Sequence, residues 1–448
     1  MSISVGLLFK GSIWTIVAYV VGQTLRLATN VILARLLAPE LFGIMLIVNS
    51  LRTGITLISD FGIGQNIIFN KNADQPDFYN TAWTLEIIRN VVLWLVCLAA
   101  TPALAYFYQS PVLIWVLPLS TAALVLTGFS SASVYLLQKR MQIAKFNIYD
   151  MIVAFISSAA HILFAYISPT IWALVLGGLF TSAASSIGSY LLLPDLKQRF
   201  HISREFVREI LGFGKWIFAS SVVYFLSMNY DRLYLPKVIP LDLLGVYGVA
   251  RSISELLGLL TMRLGNIVLF PFISSHSQAS RPSLHGQLAT IRAKFLLLVA
   301  FGISILAATA DLVIKLFYDE RYQAAGWMLP VLISGSWVSI LASVNDSTLL
   351  GLGKPLYGAF ANSAKFAFLV IGLPLGFMVN GILGVVVVFA LGDLCRYVPI
   401  FIGQRHERFA FGMQDLLLTL IAFVLIGIWE WLRWIAGFGT SFDALPGR

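Results

Sequence analysis

The sequence predicts an all-α polytopic membrane protein. Of its 448 residues, 58% are hydrophobic and only 11% are charged, and the mean hydropathy is +0.86. A soluble domain of ordinary composition carries roughly 25% charged residues and at most about 50% apolar residues. The apolar runs are long and continuous instead of alternating over segments of about ten residues, so they favour spanning helices over barrel strands.

Thirteen apolar runs approach the roughly 20 residues that a bilayer crossing needs. They lie near 12–34, 41–63, 80–107, 112–136, 147–167, 170–193, 211–235, 243–272, 292–317, 327–350, 356–379, 382–402 and 414–436. We therefore expect an N-terminal six-helix lobe (1–200), a C-terminal six-helix lobe (201–403) and about one extra C-terminal helix with a tail (404–448). The total is twelve to fourteen transmembrane helices.

An internal repeat supports the division into two lobes. Trp14 precedes Gly43 by 29 positions, and Trp216 precedes Gly245 by the same interval. A base and a proline lie inside each interval, namely Arg35 and Pro39 in the first and Lys237 and Pro240 in the second. Six helices per half give both halves the same orientation, which is the parallel pseudo-repeat found in some transporters.

The distribution of the excess basic residues agrees with the expected membrane orientation. Lys and Arg number 30 against 21 Asp and Glu, for a net charge of +9. With the N-terminus in the cytoplasm, fifteen loop bases fall on the cytoplasmic side and four on the other. This bias explains the charge without a nucleic-acid partner.

Several classes of function find no support in the sequence. Cys97 and Cys395 fall in apolar runs, and no His or Cys pair has metal-ligand spacing. No GxxxxGK[ST] loop is present, so we expect neither ATP hydrolysis nor a bound cofactor or metal. The loops are too short for a catalytic domain, and we expect a protein that is not an enzyme.

Ionisable side chains inside apolar helices are costly, at about 2.5–3.5 kcal/mol each, and so indicate function. Arg26, Arg52, Arg263 and Lys365 have no acid one helical turn away. Asp231 and Arg232 are adjacent and point apart, so they need partners elsewhere. Three spacings allow pairs within one helix, namely Glu86 with Arg89, Arg251 with Glu255, and Asp393 with Arg396. The unpaired bases favour a water-filled cationic cavity, with structural pairing between helices as the alternative.

Three motifs resemble the bacterial polysaccharide transport (oligosaccharide flippase) family. They are the run Ala34-Arg35-Leu36-Leu37-Ala38-Pro39-Glu40-Leu41-Phe42-Gly43, the run Ser59-Asp60-Phe61-Gly62-Ile63-Gly64, and Thr81-Ala82-Trp83-Thr84. The family belongs to the superfamily of multidrug, oligosaccharidyl-lipid and polysaccharide exporters, which includes multidrug and toxin extruders and peptidoglycan-precursor flippases. Related members often have fourteen helices.

The resemblance implies a flippase that works by alternating access in the bacterial inner membrane. It would move undecaprenyl-diphosphate-linked oligosaccharide repeats from the cytoplasmic to the periplasmic leaflet for surface or exopolysaccharide synthesis. Its partners would be this lipid-linked diphosphate, membrane lipids and polysaccharide assembly proteins such as a polymerase and a chain-length regulator. The Pro39–Gly43 turn is read as fold-forming.

Guanidinium groups suit phosphate oxygens, so the buried bases are the candidate ligands of the diphosphate. These substrate-binding candidates are Arg26, Arg52, Arg251, Arg263 and Lys365. The candidates for ion or proton coupling are Asp231, Glu255 and Asp60. Two alternatives remain open: a multidrug extruder, which should line its cavity with unpaired acids, and a membrane-embedded polysaccharide polymerase or ligase.

Overall fold

The computed structural model describes residues 5–59, 62–264, 281–443 and 445 as α-helices joined by turns and short extended segments. The helices are α1 (Val5–Leu36), α2 (Pro39–Ile58), α3 (Ile63–Phe69), α4 (Pro76–Phe107), α5 (Leu113–Gly128), α6 (Ser133–Lys139), α7 (Ile143–Ile167), α8 (Ile171–Tyr190), α9 (Arg204–Tyr234), α10 (Leu241–Leu264), α11 (Arg281–Ala308), α12 (Ala310–Phe317), α13 (Ala325–Gly351), α14 (Leu356–His406) and α15 (Gly412–Ile435). Two single-turn 3-10 helices lie at Leu235–Lys237 and Glu320–Tyr322.

The prediction of a polytopic helical membrane protein is confirmed. Within the described ranges, nine helices are long and apolar enough to cross a membrane, or ten if the bent pair α5–α6 forms one span. One of the nine, α14, is two helices joined at a break. The helices α9 and α10, in which some side chains are not described, do not enter that count.

The break in α14 lies where the sequence separates two spans. Asn380 and Gly381 have non-helical backbone angles, and the φ of Gly381 is +54°, in the region that favours glycine. The chain then folds back, and a Cβ added to Gly384 would lie 1.9 Å from the carbonyl oxygen of Gly376. Glycine at these positions thus permits the two halves, 356–379 and 382–406, to pack backbone against backbone.

Other helix boundaries differ from the predicted ones. The predicted span 112–136 is bent by 56° between α5 and α6, and α2 ends at Ile58, short of the predicted 63. The helices α9 and α11 begin seven and eleven residues before their apolar runs. The first turn of α9 carries the charged residues Arg204 and Glu205, so this helix extends beyond its hydrophobic run. The last part of the predicted span 243–272 lies outside the described residues.

The chain divides into two compact units, 1–225 and 226–448, at a point inside α9. In the first unit, a buried apolar cluster joins α3, α4, α6 and the start of α9 around Phe78, Leu136 and Ile210. Beside this cluster, Asp74 in the α3–α4 loop forms ion pairs with Arg140 and Lys139. The hydrogen bond from Arg140 holds the pKa of Asp74 below its usual value.

In the second unit, α15 is fastened to the other helices by a buried arginine. The Arg292 guanidinium, fully buried, donates hydrogen bonds to Asn345 Oδ1 at 2.8 Å and to Asp415. Asp415 also accepts from the Tyr397 hydroxyl at 2.7 Å and from the Asn345 amide at 2.8 Å. The last apolar helix is therefore an integral part of the second unit.

Candidate functional site

A network of charged side chains lies inside the second unit, on helices that are otherwise apolar. It joins the last turns of α9 to α10, α13 and both halves of α14. In the part of the unit that the structure describes, its cations are Arg232, Arg251, Lys365 and Arg396, and its anions are Asp231, Glu255, Asp346 and Asp393. The eight formal charges therefore cancel.

Arg251 occupies the centre of one half of this network. Its Nε lies 3.3 Å from Asp231 Oδ2, and a terminal guanidinium nitrogen lies 2.9 Å from Glu255 Oε1. Glu255 also accepts from Arg232 at 2.8 Å, and the Tyr247 hydroxyl donates to Asp231 Oδ2 at 2.5 Å. Asp231 and Arg232, adjacent in sequence, thus find their partners on α10, as predicted.

Lys365 forms the other half of the network. Its side chain is 1% exposed, and its ammonium lies 2.9 Å from Asp393 Oδ2, across the hairpin formed by the two halves of α14. The Phe389 ring joins this pair to Arg251, because its centroid lies 5.2 Å from Lys365 Nζ and 4.4 Å from Arg251 Cζ. Cations at these distances from an aromatic face gain electrostatic stabilisation.

Arg396 extends the network to α13. Its guanidinium donates to Asn362 Oδ1 and to Ser343 Oγ, each at 3.1 Å, and lies 3.5 Å from Asp346 Oδ2. Ser343 and Asp346 belong to the polar stripe predicted on this helix. The stripe thus points toward another helix of the same unit.

The predicted pairs have different outcomes. The pairs Arg251–Glu255, at 2.9 Å, and Glu86–Arg89, at 3.3 Å, are confirmed. The pair Asp393–Arg396 was wrong, because Asp393 binds Lys365 and Arg396 binds Asp346. Lys365, expected without an acid one turn away, finds one on the facing helix. For this residue, structural pairing between helices is what the structure shows.

The candidates in the first unit have different surroundings. Arg52 is half-buried on α2, and Arg26 is exposed on α1. No described side chain forms an ion pair or a hydrogen bond with either guanidinium. The nearby hydroxyls of Thr56 and Ser59 donate to carbonyl oxygens of their own helix, at 2.8 and 3.1 Å. Both arginines therefore keep donors for an anion.

Helix geometry places both arginines well inside their spans. At 1.5 Å per residue, Arg26 lies roughly 14 Å along α1 from Arg35, and Arg52 lies roughly 20 Å along α2 from Pro39. A hydrocarbon core is about 30 Å thick. Two predicted candidates cannot be compared with them, because Asp60 and the Arg263 side chain lie outside the described residues.

Sequence reasoning missed the residues that complete the network. Tyr247 and Phe389 carry no charge, and Asp393 had been assigned to a different partner. Lys365 and Asp393 are 28 positions apart, so no helical period links them. The signal available in the sequence was the turn at Asn380 and Gly381, which brings the two halves of α14 face to face.

Two anions of the network are incompletely satisfied. Among the described residues, Oδ1 of Asp231 and Oδ1 of Asp393 have no hydrogen-bond partner, although both side chains are buried. Leaving a buried acceptor unpaired is costly. These two oxygens are therefore places where a proton or small cation would be stabilised.

Comparisons with known proteins agree with this architecture. The model of a family described as "Polysaccharide biosynthesis protein" matches residues 32–326. The teichuronic acid biosynthesis protein TuaB of Bacillus subtilis (strain 168) is 23% identical over 306 residues, which are 66% of this chain and 62% of TuaB. The lipopolysaccharide biosynthesis protein WzxC of Escherichia coli (strain K12) is 22% identical over 401 residues, which are 87% of this chain and 79% of WzxC.

A solved structure shares the fold. The lipid II flippase MurJ in its inward closed conformation superimposes with a TM-score of 0.71 at 13% sequence identity. The superposition covers 95% of this chain and 93% of that chain. The two chains therefore share their helical fold.

Proposed function

We propose, since the chain belongs to the polysaccharide biosynthesis protein family, that it is a flippase for lipid-linked oligosaccharides. Its substrate is an oligosaccharide repeat carried on undecaprenyl diphosphate, and it moves this substrate from the cytoplasmic to the periplasmic leaflet. Relatives named for teichuronic acid and lipopolysaccharide biosynthesis support the substrate class. The fold shared with a lipid II flippase is compatible with this transport.

The observation that carries the proposal is Arg52, a guanidinium inside an apolar helix with no ionic partner among the described residues. An uncompensated cation at this depth is costly unless an anion or water meets it. A diphosphate offers oxygens that match the guanidinium fork. Arg52 and Arg26 are therefore the primary ligands in this proposal.

Arg251 and Lys365 enter the proposal in a secondary role, because their charges are already neutralised by Asp231, Glu255 and Asp393. Protonation of an acid, or binding of a small cation to it, would free a base for the diphosphate. Asp231 and Glu255 are thus the proposed coupling residues. A ligand shifts a conformational equilibrium only by its differential affinity for the two states, and such an exchange of partners would supply that difference.

The proposed location is the bacterial inner membrane, with the N-terminus in the cytoplasm. The excess of bases that the sequence assigns to the cytoplasmic side supports this orientation, and it remains when Arg292, which is buried in α11, is left out of the count. The membrane potential, negative inside, then favours outward movement of an anion by about 2.3 kcal/mol per charge per 100 mV. Alternating access, with the site open to one side at a time, would complete the cycle.

Deletion of the gene in its host tests the proposal. We expect complete lipid-linked repeats to accumulate in the cytoplasmic leaflet while the surface polysaccharide is lost, because synthesis of the repeat precedes its export. The measurement is the leaflet distribution of lipid-linked oligosaccharides, determined with a membrane-impermeant glycosidase. Normal polysaccharide together with new sensitivity to cationic dyes would contradict the proposal and favour a multidrug extruder.

A further inference from the structure

A short extended segment, residues 199–203, lies along the beginning of α4 in the first unit. Three of its backbone N–H groups, at alternate residues, donate to side chains of that helix. Arg199 N donates to Asn80 Oδ1 at 2.9 Å, and His201 N donates to Thr84 Oγ1 at 3.1 Å. Ser203 N donates to Thr81 Oγ1 at 3.1 Å. The backbone of this segment is therefore hydrogen-bonded to side chains of a helix at every second residue.

The two threonines are well suited to this role. Thr81 Oγ1 donates its own hydrogen to the Asp77 carbonyl at 2.6 Å, and Thr84 Oγ1 donates to the Asn80 carbonyl at 2.8 Å. Each hydroxyl oxygen thus keeps its lone pairs for an incoming N–H group. Both threonines are buried, so the N–H groups that they accept have little access to water.

Side chains on both sides of the segment add to this attachment. Asp77 Oδ1 lies 3.7 Å from the Arg199 guanidinium and 3.6 Å from His201 Nε2. The ring of Phe200 lies 5.1 Å from that of Trp83. Every second residue of the segment therefore faces α4 through its backbone N–H, while the intervening Phe200 packs beside it.

We propose that Asn80, Thr81 and Thr84 form a clasp that fixes residues 199–203 and thereby sets the start of α9. The helix begins at Arg204, directly after the clasped segment, and its first turns are buried at Ile210. The division between the two compact units falls inside this same helix. The clasp residues are positioning residues for transport and do not contact the substrate.

The clasp explains a motif that the proposed diphosphate site leaves unused. Thr81-Ala82-Trp83-Thr84 has no charge and lies at the start of α4, away from Arg26 and Arg52 in sequence. Three of its four residues contact the segment or hydrogen-bond to it. Its function is accordingly to bind the chain that leads into α9.

Limited trypsin digestion of the purified full-length protein tests the clasp. The segment and its flanks carry exposed cleavage sites at Lys197, Arg199 and Arg204. The variant Thr81→Val/Thr84→Val keeps the side-chain shape but removes both acceptors, and we expect it to be cleaved there at least about tenfold faster. The matched control Thr81→Ser/Thr84→Ser keeps both acceptors and should be cleaved at the wild-type rate.

Equal cleavage rates in the valine and wild-type proteins would overturn the clasp. If the double valine variant does not fold, the single variants Thr81→Val and Thr84→Val replace it, with each expected to show part of the increase.

The transport readout rests on the proposed function. In vesicles, the valine variant should bind undecaprenyl diphosphate as wild type does but flip it about tenfold more slowly, with rescue by the serine variant. Unchanged flipping would overturn the positioning role, whereas a wild-type protein that flips nothing would count against the proposed function alone.

Discussion

The double variant Arg26→Ala/Arg52→Ala is expected to bind undecaprenyl diphosphate about 100-fold more weakly than the wild type. Hydrogen bonds to charged groups contribute about 1.5–3 kcal/mol each, and 1.4 kcal/mol corresponds to a factor of ten in affinity. Titration of undecaprenyl diphosphate into the purified protein measures the change.

Two further variants make this result specific. Arg405 is exposed in the last turn of α14 and is not one of the proposed ligands, so the variant Arg405→Ala should bind the diphosphate with wild-type affinity. Arg52→Lys keeps the charge but loses the planar guanidinium fork, and we expect it to bind the diphosphate about tenfold more weakly. Wild-type affinity in the double alanine variant would remove Arg26 and Arg52 from the site.

The second large effect concerns the buried pair of Lys365 and Asp393. Either single variant, Lys365→Met or Asp393→Leu, is expected to lower the free energy of unfolding by about 3–5 kcal/mol, because it leaves one buried charge uncompensated. The double variant Lys365→Met/Asp393→Leu should recover most of that loss, since apolar groups of similar size replace both charges. Unfolding of the purified protein in mixed micelles gives the three values.

The pair Glu86 and Arg89 serves as the control for this cycle. These side chains form a less buried pair within one helix, at 3.3 Å, so we expect a smaller coupling energy than for Lys365 and Asp393. Additive losses in the Lys365 and Asp393 cycle would contradict a coupled buried pair. The double variant also separates structure from binding, because a stable protein with unchanged diphosphate affinity would remove Lys365 from the proposed ligands.

Much of the fold was predictable because hydrophobic length is the dominant constraint in lipid. The predicted spans 356–379 and 382–402 match the two halves of α14 closely, and the turn between them contains the Asn380-Gly381 pair that the backbone requires. The early start of α9 was not predictable from hydropathy. Its first turn, from Arg204, is charged, so a hydropathy profile does not distinguish it from a loop.

The candidate site was predictable in its composition and less so in its pairing. The positions of Arg52, Asp231 and Lys365 inside apolar runs were evident, as was the need of Asp231 for a partner elsewhere in the chain. The partner of Lys365 was not evident, because contact across a helical hairpin depends on how the two halves rotate against each other. The clasp was missed for another reason: it uses backbone N–H groups, which no side-chain pattern reveals.

The central claim, movement of a lipid-linked diphosphate between the two leaflets, is tested most directly in reconstituted vesicles. Purified protein is inserted into liposomes that contain a fluorescent oligosaccharide linked to undecaprenyl diphosphate, and a membrane-impermeant quencher reports the labelled fraction in the outer leaflet. We predict rapid equilibration between leaflets with wild-type protein and a rate near that of protein-free liposomes with Arg26→Ala/Arg52→Ala. Wild-type vesicles that equilibrate no faster than protein-free ones, while exporting a cationic dye, would contradict the account.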